Sequence, residues 1–246
     1  MEVALSAIVG LTLGHVLDLF HDRFFTGEPI AGRPHRCPQC EAPLRPLFAI
    51  PVLGYFWTRG RCPDCRGPLP WRALVLAPGA AALFVASYFV FDELGAGLLG
   101  GLFTTIFLML SVTDLEERLI PNRIVYPSVL VAVALSWGWP QNDVVDILAG
   151  GGVGIAIGAG LLLFSLPFGS GAFGMGDVKM IVLIGFVTGY PSIVVGVFVG
   201  TLVAGLVAAL LVVTRLRGMR DYLPHGPFLA LGAVVALFWG EDLWDR

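Results

Sequence analysis

The four cysteines of the chain form two closely spaced pairs. Cys37 and Cys40 make the first C-x-x-C pair, and Cys62 and Cys65 make the second about twenty residues later. Each pair places two thiols on one tight turn, so two such turns can surround a tetrahedral ion. The spacing predicts a zinc site, with a rubredoxin-like iron site as the alternative. Because four thiolates leave no open coordination position, we expect the metal to be structural and to fold a loop that lacks a core.

Two aspartates stand where an apolar run meets a polar segment. Asp114 follows the apolar run 101–113, and Asp177 directly precedes another apolar run. Two carboxylates that share a proton and bind a water are the equipment of an aspartic protease. The alternative is that both are solvated helix ends. Several other charged residues near these boundaries take that interpretation: Glu116, Glu117, Arg118, Arg123 and Asp146.

Small, rigid and polar residues accompany the aspartates. Gly174 and Gly176 precede the second aspartate and would let a bound extended peptide approach the backbone closely. Pro121 prevents helical continuation after the first aspartate, and Asn122 is predicted to cap the next helix. Lys179, the only lysine, either steadies a carboxylate or marks the inner boundary of the membrane.

The composition places these residues in a membrane protein. Of the 246 residues, 57% are hydrophobic and only 13% are charged, whereas soluble domains carry about 25% charged residues. The mean hydropathy of +0.83 agrees. This composition excludes a soluble enzyme, a disordered protein and a secreted disulfide miniprotein. The net charge of -3 and the lack of a long basic tract argue against a nucleic-acid partner. The sequence therefore predicts an all-α polytopic membrane protein whose surroundings are the lipid bilayer.

The apolar runs predict about eight transmembrane helices, with seven as the alternative count. Residues 1–20 form the first helix, which lacks the cleavage pattern of a signal peptide and is expected to be retained. Residues 21–72 form the small cytoplasmic zinc-binding insert, and residues 73–246 hold about seven further helices of the aspartyl core. The predicted spans in that core are 73–91, 95–113, 124–139, 144–168, 178–189, 192–214 and 227–240.

The basic residues predict the orientation of the helices. If the first helix runs from the outside to the cytoplasm, all but one of the 15 Lys and Arg residues fall in cytoplasmic segments, the exception being Arg246. The positive-inside rule therefore predicts that both termini lie outside and both aspartates lie at the cytoplasmic face. Asp177 then stands at a helix N-terminus and Asp114 at a C-terminus. The helix dipoles predict that Asp177 is the ionised base and Asp114 the acid.

Glycines recur every four residues in two of the predicted helices. Gly150, Gly154 and Gly158 lie on one helix face, and Gly196 and Gly200 lie on another. Small residues at this spacing let helix backbones approach closely in a membrane. We therefore expect both faces to be packing surfaces between helices.

Four sequence elements together resemble a known family. They are the insert with Ile50-Pro51-Val52-Leu53-Gly54-Tyr55 between its cysteine pairs, Asp114 followed by Ile120-Pro121-Asn122, the segment Gly174-Met-Gly176-Asp177-Val-Lys179, and the segment Leu223-Pro224-His225-Gly226-Pro227. In this order, they resemble the type IV prepilin leader peptidases, bacterial members of the GxGD group of membrane aspartyl proteases.

The resemblance implies a specific reaction. The family cleaves the short basic leader of type IV prepilins and type II secretion pseudopilins after a glycine, at the cytoplasmic face of the bacterial inner membrane. It implies that Asp114 and Asp177 are catalytic and that the substrate keeps a hydrophobic helix in the bilayer. Many members then methylate the new N-terminus with S-adenosylmethionine. The alternatives are a GxGD protease for a non-pilin substrate without methyltransferase activity, and a non-catalytic scaffold or transporter with a zinc docking loop.

The chain departs from the family pattern in its N-terminal third. Gly14-His15-Val16-Leu17-Asp18-Leu19 stands where the family has Gly-Ser-Phe-Leu-Asn-Val, and Ala73-Leu74 with Ala77 replaces Tyr-Pro with Glu. These regions are associated with methylation, so the resemblance leaves that activity open. His15 and Asp18 are functional candidates by their place in a membrane helix, or else they snorkel to the headgroups.

Overall fold

The computed structural model describes residues 1–26, 37, 39–40, 42, 51–139, 142–165, 174–218 and 223–246. Within these ranges the chain forms α-helices and one short 3-10 helix, and no β-strand is present. The helices are α1 Glu2–Thr26, α2 Pro51–Trp57, α3 Ala73–Phe91, α4 Leu94–Glu117, α5 Asn122–Ala134, α6 Val144–Ser165, α7 Met175–Thr188, α8 Ser192–Val213 and α9 Gly226–Trp244. The all-α prediction is confirmed.

Each of the eight predicted spans contains a helix in the structure. Six of these helices, α1, α3, α4, α6, α8 and α9, are long and apolar enough to cross a membrane. The other two are shorter, with 13 residues in α5 and 14 in α7. The seven-residue α2 belongs to the insert. The protein is therefore a multi-pass membrane protein, as predicted.

The ends of several helices differ from those expected. α1 continues beyond residue 20 to Thr26, because its polar last turns pack against α3 and α4 instead of leaving the helix. α5 ends at Ala134 and is followed by the 3-10 helix Ser136–Gly138. The predicted end of the span 144–168 lies outside the described residues. The division of the chain at residues 20 and 72 stays a prediction.

Helices α4 and α9 lie at the centre of the molecule. Of their most apolar windows, 61% and 50% are buried inside the protein, against 22% to 28% for the other spans. Phe107 of α4 and Leu229 of α9 share the main core with Ile184 of α7. By contrast, α8 exposes Leu206 and Leu210, as expected of a face in contact with lipid acyl chains. The central pair thus provides the frame on which the polar site is built.

Glycine contacts bring two pairs of neighbouring helices together. In α6, a Cβ added at Gly150 would lie 2.5 Å from the carbonyl oxygen of Gly185 in α7. In α8, a Cβ at Gly200 would lie 2.9 Å from the carbonyl oxygen of Phe228 in α9. Gly154, too, faces the α7 backbone. The predicted packing role of these glycines is confirmed, because no side chain fits between the backbones.

The contact between α8 and α9 predicts a stability difference between two glycine substitutions. In Gly232→Ala the added methyl group would overlap the carbonyl oxygen of Gly196, so we expect a loss of about 1–3 kcal/mol. Gly205→Ala is the matched control, because no atom lies within 4 Å of its Cβ position. Thermal unfolding of the purified protein in detergent measures both. Equal stability of the two variants would contradict the packing role.

Candidate active site

Asp114 lies in the last turn of α4 and is 4% exposed. The helix ends three residues later, where Arg118 adopts a left-handed conformation and its N–H donates to the carbonyl of Asp114. The side chain points to the start of α9, where the backbone N–H of Gly226 donates to Oδ2 of Asp114 over 2.9 Å. A hydrogen bond to a charged acceptor at this place holds the orientation of the carboxylate.

Gly226 is a site residue that the sequence reasoning missed. A Cβ at this position would lie 2.6 Å from Asp114 Oδ2, so a larger residue would push the carboxylate away. The Gly226-Pro227 pair opens α9, and it was visible only as part of the last family-like segment. The sequence contains no signal that this backbone reaches the end of α4.

Asp177 lies in the first turn of α7 and is half-buried. Its N–H donates to the carbonyl of Gly174, which has an extended conformation. A Cβ at Gly176 would lie 3.3 Å from the side chain of Ile120, in the turn that follows α4. Gly176 therefore lets the start of α7 pack closely on that turn, which is a role in addition to the predicted approach of a peptide.

One cavity of about 560 Å³ brings the predicted site residues together. Both aspartates line it, and the charges of the two groups are close enough to interact with each other. All five supporting residues line it as well: Pro121, Asn122, Gly174, Gly176 and Lys179. His225, expected to serve the loop structure, directly precedes α9, and its Nδ1 lies 3.3 Å from the carbonyl oxygen of Leu223. Phe24 from α1 also lines the cavity, and nothing in the sequence indicated it.

Asn122 does not cap α5, and that part of the prediction is wrong. Pro121 occupies the N-cap position and no side chain caps the helix. The amide oxygen of Asn122 instead accepts a hydrogen bond of 2.8 Å from Nζ of Lys179. Because the amide bonds to α7, it is not free to turn back on its own helix. The contact joins the motif after Asp114 to the motif around Asp177.

The four cysteines converge in the insert. Their Sγ atoms all lie within 4.8 Å of one another, with 3.6 Å between Cys37 and Cys65 and 3.8 Å between Cys40 and Cys62. A tetrahedral ion with Zn–S bonds of about 2.3 Å requires thiolates about 3.8 Å apart, so the donors fit zinc. Tyr55 packs against the buried side of this cluster. The described residues thus bring the predicted ligands together.

The backbone around Cys37 favours its thiolate form. Burial of the thiol opposes ionisation, but the N–H groups of Cys40 and Gln39 and the neighbouring thiols of Cys65 and Cys62 outweigh it. Together they lower the pKa of Cys37 to about 7. A thiolate at neutral pH is the form that ligates a metal.

A second polar cluster surrounds Arg72, the residue that precedes α3. Its guanidinium bonds to Asp18 over 3.0 Å and to Glu116 over 3.1 Å, and it also pairs with Asp22. His21 is 2% exposed, its Nε2 lies 3.8 Å from Glu116, and neither ring nitrogen has a hydrogen-bond partner. The cluster therefore ties the C-terminal ends of α1 and α4 to the junction between the insert and α3.

Two expectations for charged residues are corrected by this cluster. Asp18 is 3% exposed and paired with Arg72, so it does not snorkel to the headgroups. Glu116 is bound by the same guanidinium and is not a solvated helix end. The cause is that Arg72, which is distant in sequence from both residues, neutralises the carboxylates of Asp18 and Glu116. Glu117 is exposed, as expected.

The arrangement at the cavity lined by Asp114 and Asp177 indicates a chemical class. Two carboxylates that face one cavity can share a proton, activate a water and protonate an intermediate. In an all-α membrane protein, this equipment fits a membrane-bound hydrolase of the aspartyl type. Both carboxylates come from the helical core, in α4 and α7, and not from the cysteine insert.

Comparison with protein families agrees with this class. Residues 8–91 match the model described as Bacterial Peptidase A24 N-terminal domain, and residues 101–211 match the Type IV leader peptidase family. The chain belongs to the type IV leader peptidase family.

Curated relatives of the chain share one name, prepilin leader peptidase/N-methyltransferase. The Aeromonas hydrophila protein is 28% identical over 218 residues, which cover 84% of this chain and 72% of the relative. The Burkholderia pseudomallei protein is 28% identical over 276 residues, with 99% and 87% covered. The Bacillus subtilis protein is 28% identical over 210 residues, with 84% and 82% covered. No solved structure matches the chain.

Removal of Arg72 tests the second cluster. Arg72→Gln leaves the buried carboxylates of Asp18 and Glu116 without their cation, and we expect a loss of about 3 kcal/mol or more. Arg215→Gln, at an exposed arginine, is the control and should leave stability unchanged. The midpoints of thermal unfolding in detergent report both. Adding Asp18→Asn to the Arg72 variant should recover part of the loss, and no recovery would contradict the pairing.

Proposed function

We propose that the protein hydrolyses the bond between the basic leader and the mature part of type IV prepilins and type II secretion pseudopilins. Membership in the leader peptidase family supports this reaction. The single observation that carries the residue assignment is the cavity lined by both Asp114 and Asp177. The same cavity contains the residues of both flanking motifs, so the motifs form one site.

The proposed mechanism uses the two aspartates as one titrating unit. The ionised member takes a proton from water as the water attacks the peptide carbonyl, and the protonated member donates to the developing oxyanion. The Gly226 N–H occupies Oδ2 of Asp114 and leaves its other oxygen for the proton or the water. Because the pair shares its proton, the macroscopic behaviour belongs to both groups.

The assignment of Asp177 as base and Asp114 as acid stays a prediction. It was based on the opposite helix ends at which the two residues stand. The structure adds a competing contribution, since the start of α9 also points an N–H at Asp114 and favours its charge. A helix N-terminus thus favours the charged form of both carboxylates. The difference between the two aspartates in how strongly helix dipoles favour ionisation is therefore smaller than the sequence suggested.

We place the cavity at the cytoplasmic face of the inner membrane, with both termini outside. The support is the distribution of basic residues, including Arg118, Arg123 and Lys179 around the cavity itself. A substrate whose hydrophobic helix lies in the bilayer would present the end of its leader at this depth.

N-methylation of the new N-terminus with S-adenosylmethionine is the second proposed activity. It is supported by the name of the three relatives described above, each of which is called an N-methyltransferase as well. Against it stand the departures from the family pattern at residues 14–19 and at Ala73, Leu74 and Ala77. One of them, Asp18, is committed to an ion pair with Arg72.

Single aspartate variants test the peptidase. In Asp114→Asn or Asp177→Asn one carboxylate can no longer exchange a proton, so we expect cleavage to fall at least about 100-fold in each. Glu117→Gln is the control: it also removes a carboxylate from the end of α4, but at an exposed position. Each variant is co-expressed with a prepilin, and the mass of the pilin N-terminus reports cleavage, its position and methylation. Retained processing in either variant would favour the non-catalytic alternative.

We further propose that the four cysteines hold one structural zinc ion. The support is the tetrahedral spacing of Cys37, Cys40, Cys62 and Cys65. Metal analysis of the purified protein should find about one zinc per chain, and Cys40→Ser should lose it. Hydrogen exchange should then rise in residues 51–71 and stay unchanged in α9. Iron in place of zinc, or an unprotected insert in the native protein, would overturn the assignment.

A further inference from the structure

The insert presents two large aromatic side chains to its surroundings. At the end of α2, Phe56 is 69% exposed and Trp57 is 81% exposed. Their neighbour Tyr55 packs inward against the cysteine cluster, which fixes the direction in which the other two point. Adjacent exposed aromatic side chains on a small polar unit indicate an interaction surface.

Three arginines lie directly after these aromatic residues. Arg59, Arg61 and Arg66 line a cavity of about 560 Å³ together with Thr58, Cys62 and Pro63. Arg59 and Arg66 both have left-handed backbone conformations, with φ of 53° and 59°. Among the described residues no carboxylate lines this cavity, and the three arginines are its basic side chains. Such a concave surface favours anions with several oxygen atoms, such as phosphate groups.

The position of the insert indicates where the anion comes from. The insert enters α3 at Ala73, and α2 packs against this helix. Arg72, directly before α3, is bound to the inner ends of α1 and α4. The aromatic residues and the arginine cavity are therefore close to the membrane boundary. Trp71, at that boundary, is 42% exposed.

We propose that the end of α2 and the arginine cavity form a docking surface for anionic phospholipid headgroups of the cytoplasmic leaflet. The arginines bind lipid phosphates, and Phe56 and Trp57 enter the interfacial layer beside them. Aromatic side chains prefer this layer, and basic residues are attracted to anionic lipids. Neither feature alone would place the surface on a membrane, but their combination next to a transmembrane helix does. This contact does not depend on the peptidase reaction.

The test uses the metal-containing full chain in lipid nanodiscs. One set contains phosphatidylcholine alone, and the other contains phosphatidylcholine with phosphatidylglycerol; each includes a brominated lipid that quenches tryptophan at the interface. The difference between wild type and Trp57→Phe isolates the fluorescence of Trp57. We expect Trp57 to be quenched strongly in the anionic discs and weakly in the neutral ones.

Arginine variants identify the source of the lipid preference. Arg61→Gln and Arg66→Gln should each lower the ratio of docked to undocked insert about fivefold in the anionic discs. Arg215→Gln, also an exposed cytoplasmic arginine by the proposed topology, should leave it unchanged. Zinc content and thermal unfolding show that the variants are folded, and high salt should weaken docking in the wild type.

Two results would overturn the proposal. One is quenching of Trp57 that is the same in both kinds of disc and insensitive to Arg61 and Arg66. The other is an unquenched Trp57 in anionic discs, which would assign the exposed aromatic residues to a protein partner instead.

Discussion

The hydrogen bond from the Gly226 N–H to the Asp114 carboxylate joins the two central helices where the polar site begins. It requires the start of α9 to lie against the last turn of α4, with no side chain between them. α9 also packs against α7, which carries Asp177, and against α8 through Gly232. The position of both aspartates relative to each other therefore depends on how closely α9 can approach its neighbours. Glycine is the residue that allows this approach in a membrane, where no hydrophobic driving force holds helices together.

The end of α4 has two polar faces with different tasks. Asp114 points to α9, whereas Glu116, two residues later, binds Arg72 on the side of α1 and α3. Residues two positions apart lie on nearly opposite faces of a helix, because successive residues turn by about 100°. The end of α4 thus lines the cavity with Asp177 on one side and joins a buried ion-pair cluster on the other. The ion-pair cluster holds the ends of α1 and α4 and the start of α3 together. The cavity contains the carboxylates of Asp114 and Asp177, which are not part of that cluster.

Much of the site followed from local sequence because its signals are local. The cysteine pairs, the glycines before Asp177 and the proline after Asp114 each determine a turn within a few residues. The small-residue faces on α6 and α8 were also visible, since helical periodicity alone places them. Hydropathy placed a helix in each of the eight predicted spans but did not give the ends of these helices, and six of the eight are long and apolar enough to cross a membrane. α1 extends through His21 and Asp22 because these polar side chains lie against charged residues from elsewhere in the chain: His21 lies next to Glu116, and Asp22 pairs with Arg72.

What the sequence did not reveal are contacts between distant segments. Asn122 was expected to cap α5, but its amide oxygen instead accepts a hydrogen bond from Lys179, which is 57 positions away. Gly226 was missed since its role appears only when its backbone meets a carboxylate 112 positions earlier. Asp18 looked like a membrane-surface residue until Arg72 supplied its counter-charge. In each case a polar group bonds to a residue distant in sequence and not to a neighbouring one. Hydropathy patterns contain no information on such long-range contacts.

The spacing of the Arg72 partners along the chain also orders the assembly of the protein during synthesis. Asp18 and Asp22 precede Arg72, so α1 and α3 can pair around it once α3 has left the ribosome. Glu116 then joins when α4 is made. The carboxylate of Asp114 gains its partner later, because Gly226 lies at the start of α9. The frame around Arg72 can therefore form while the chain is still growing, and the cavity beside Asp114 is completed only after the start of α9 has been made.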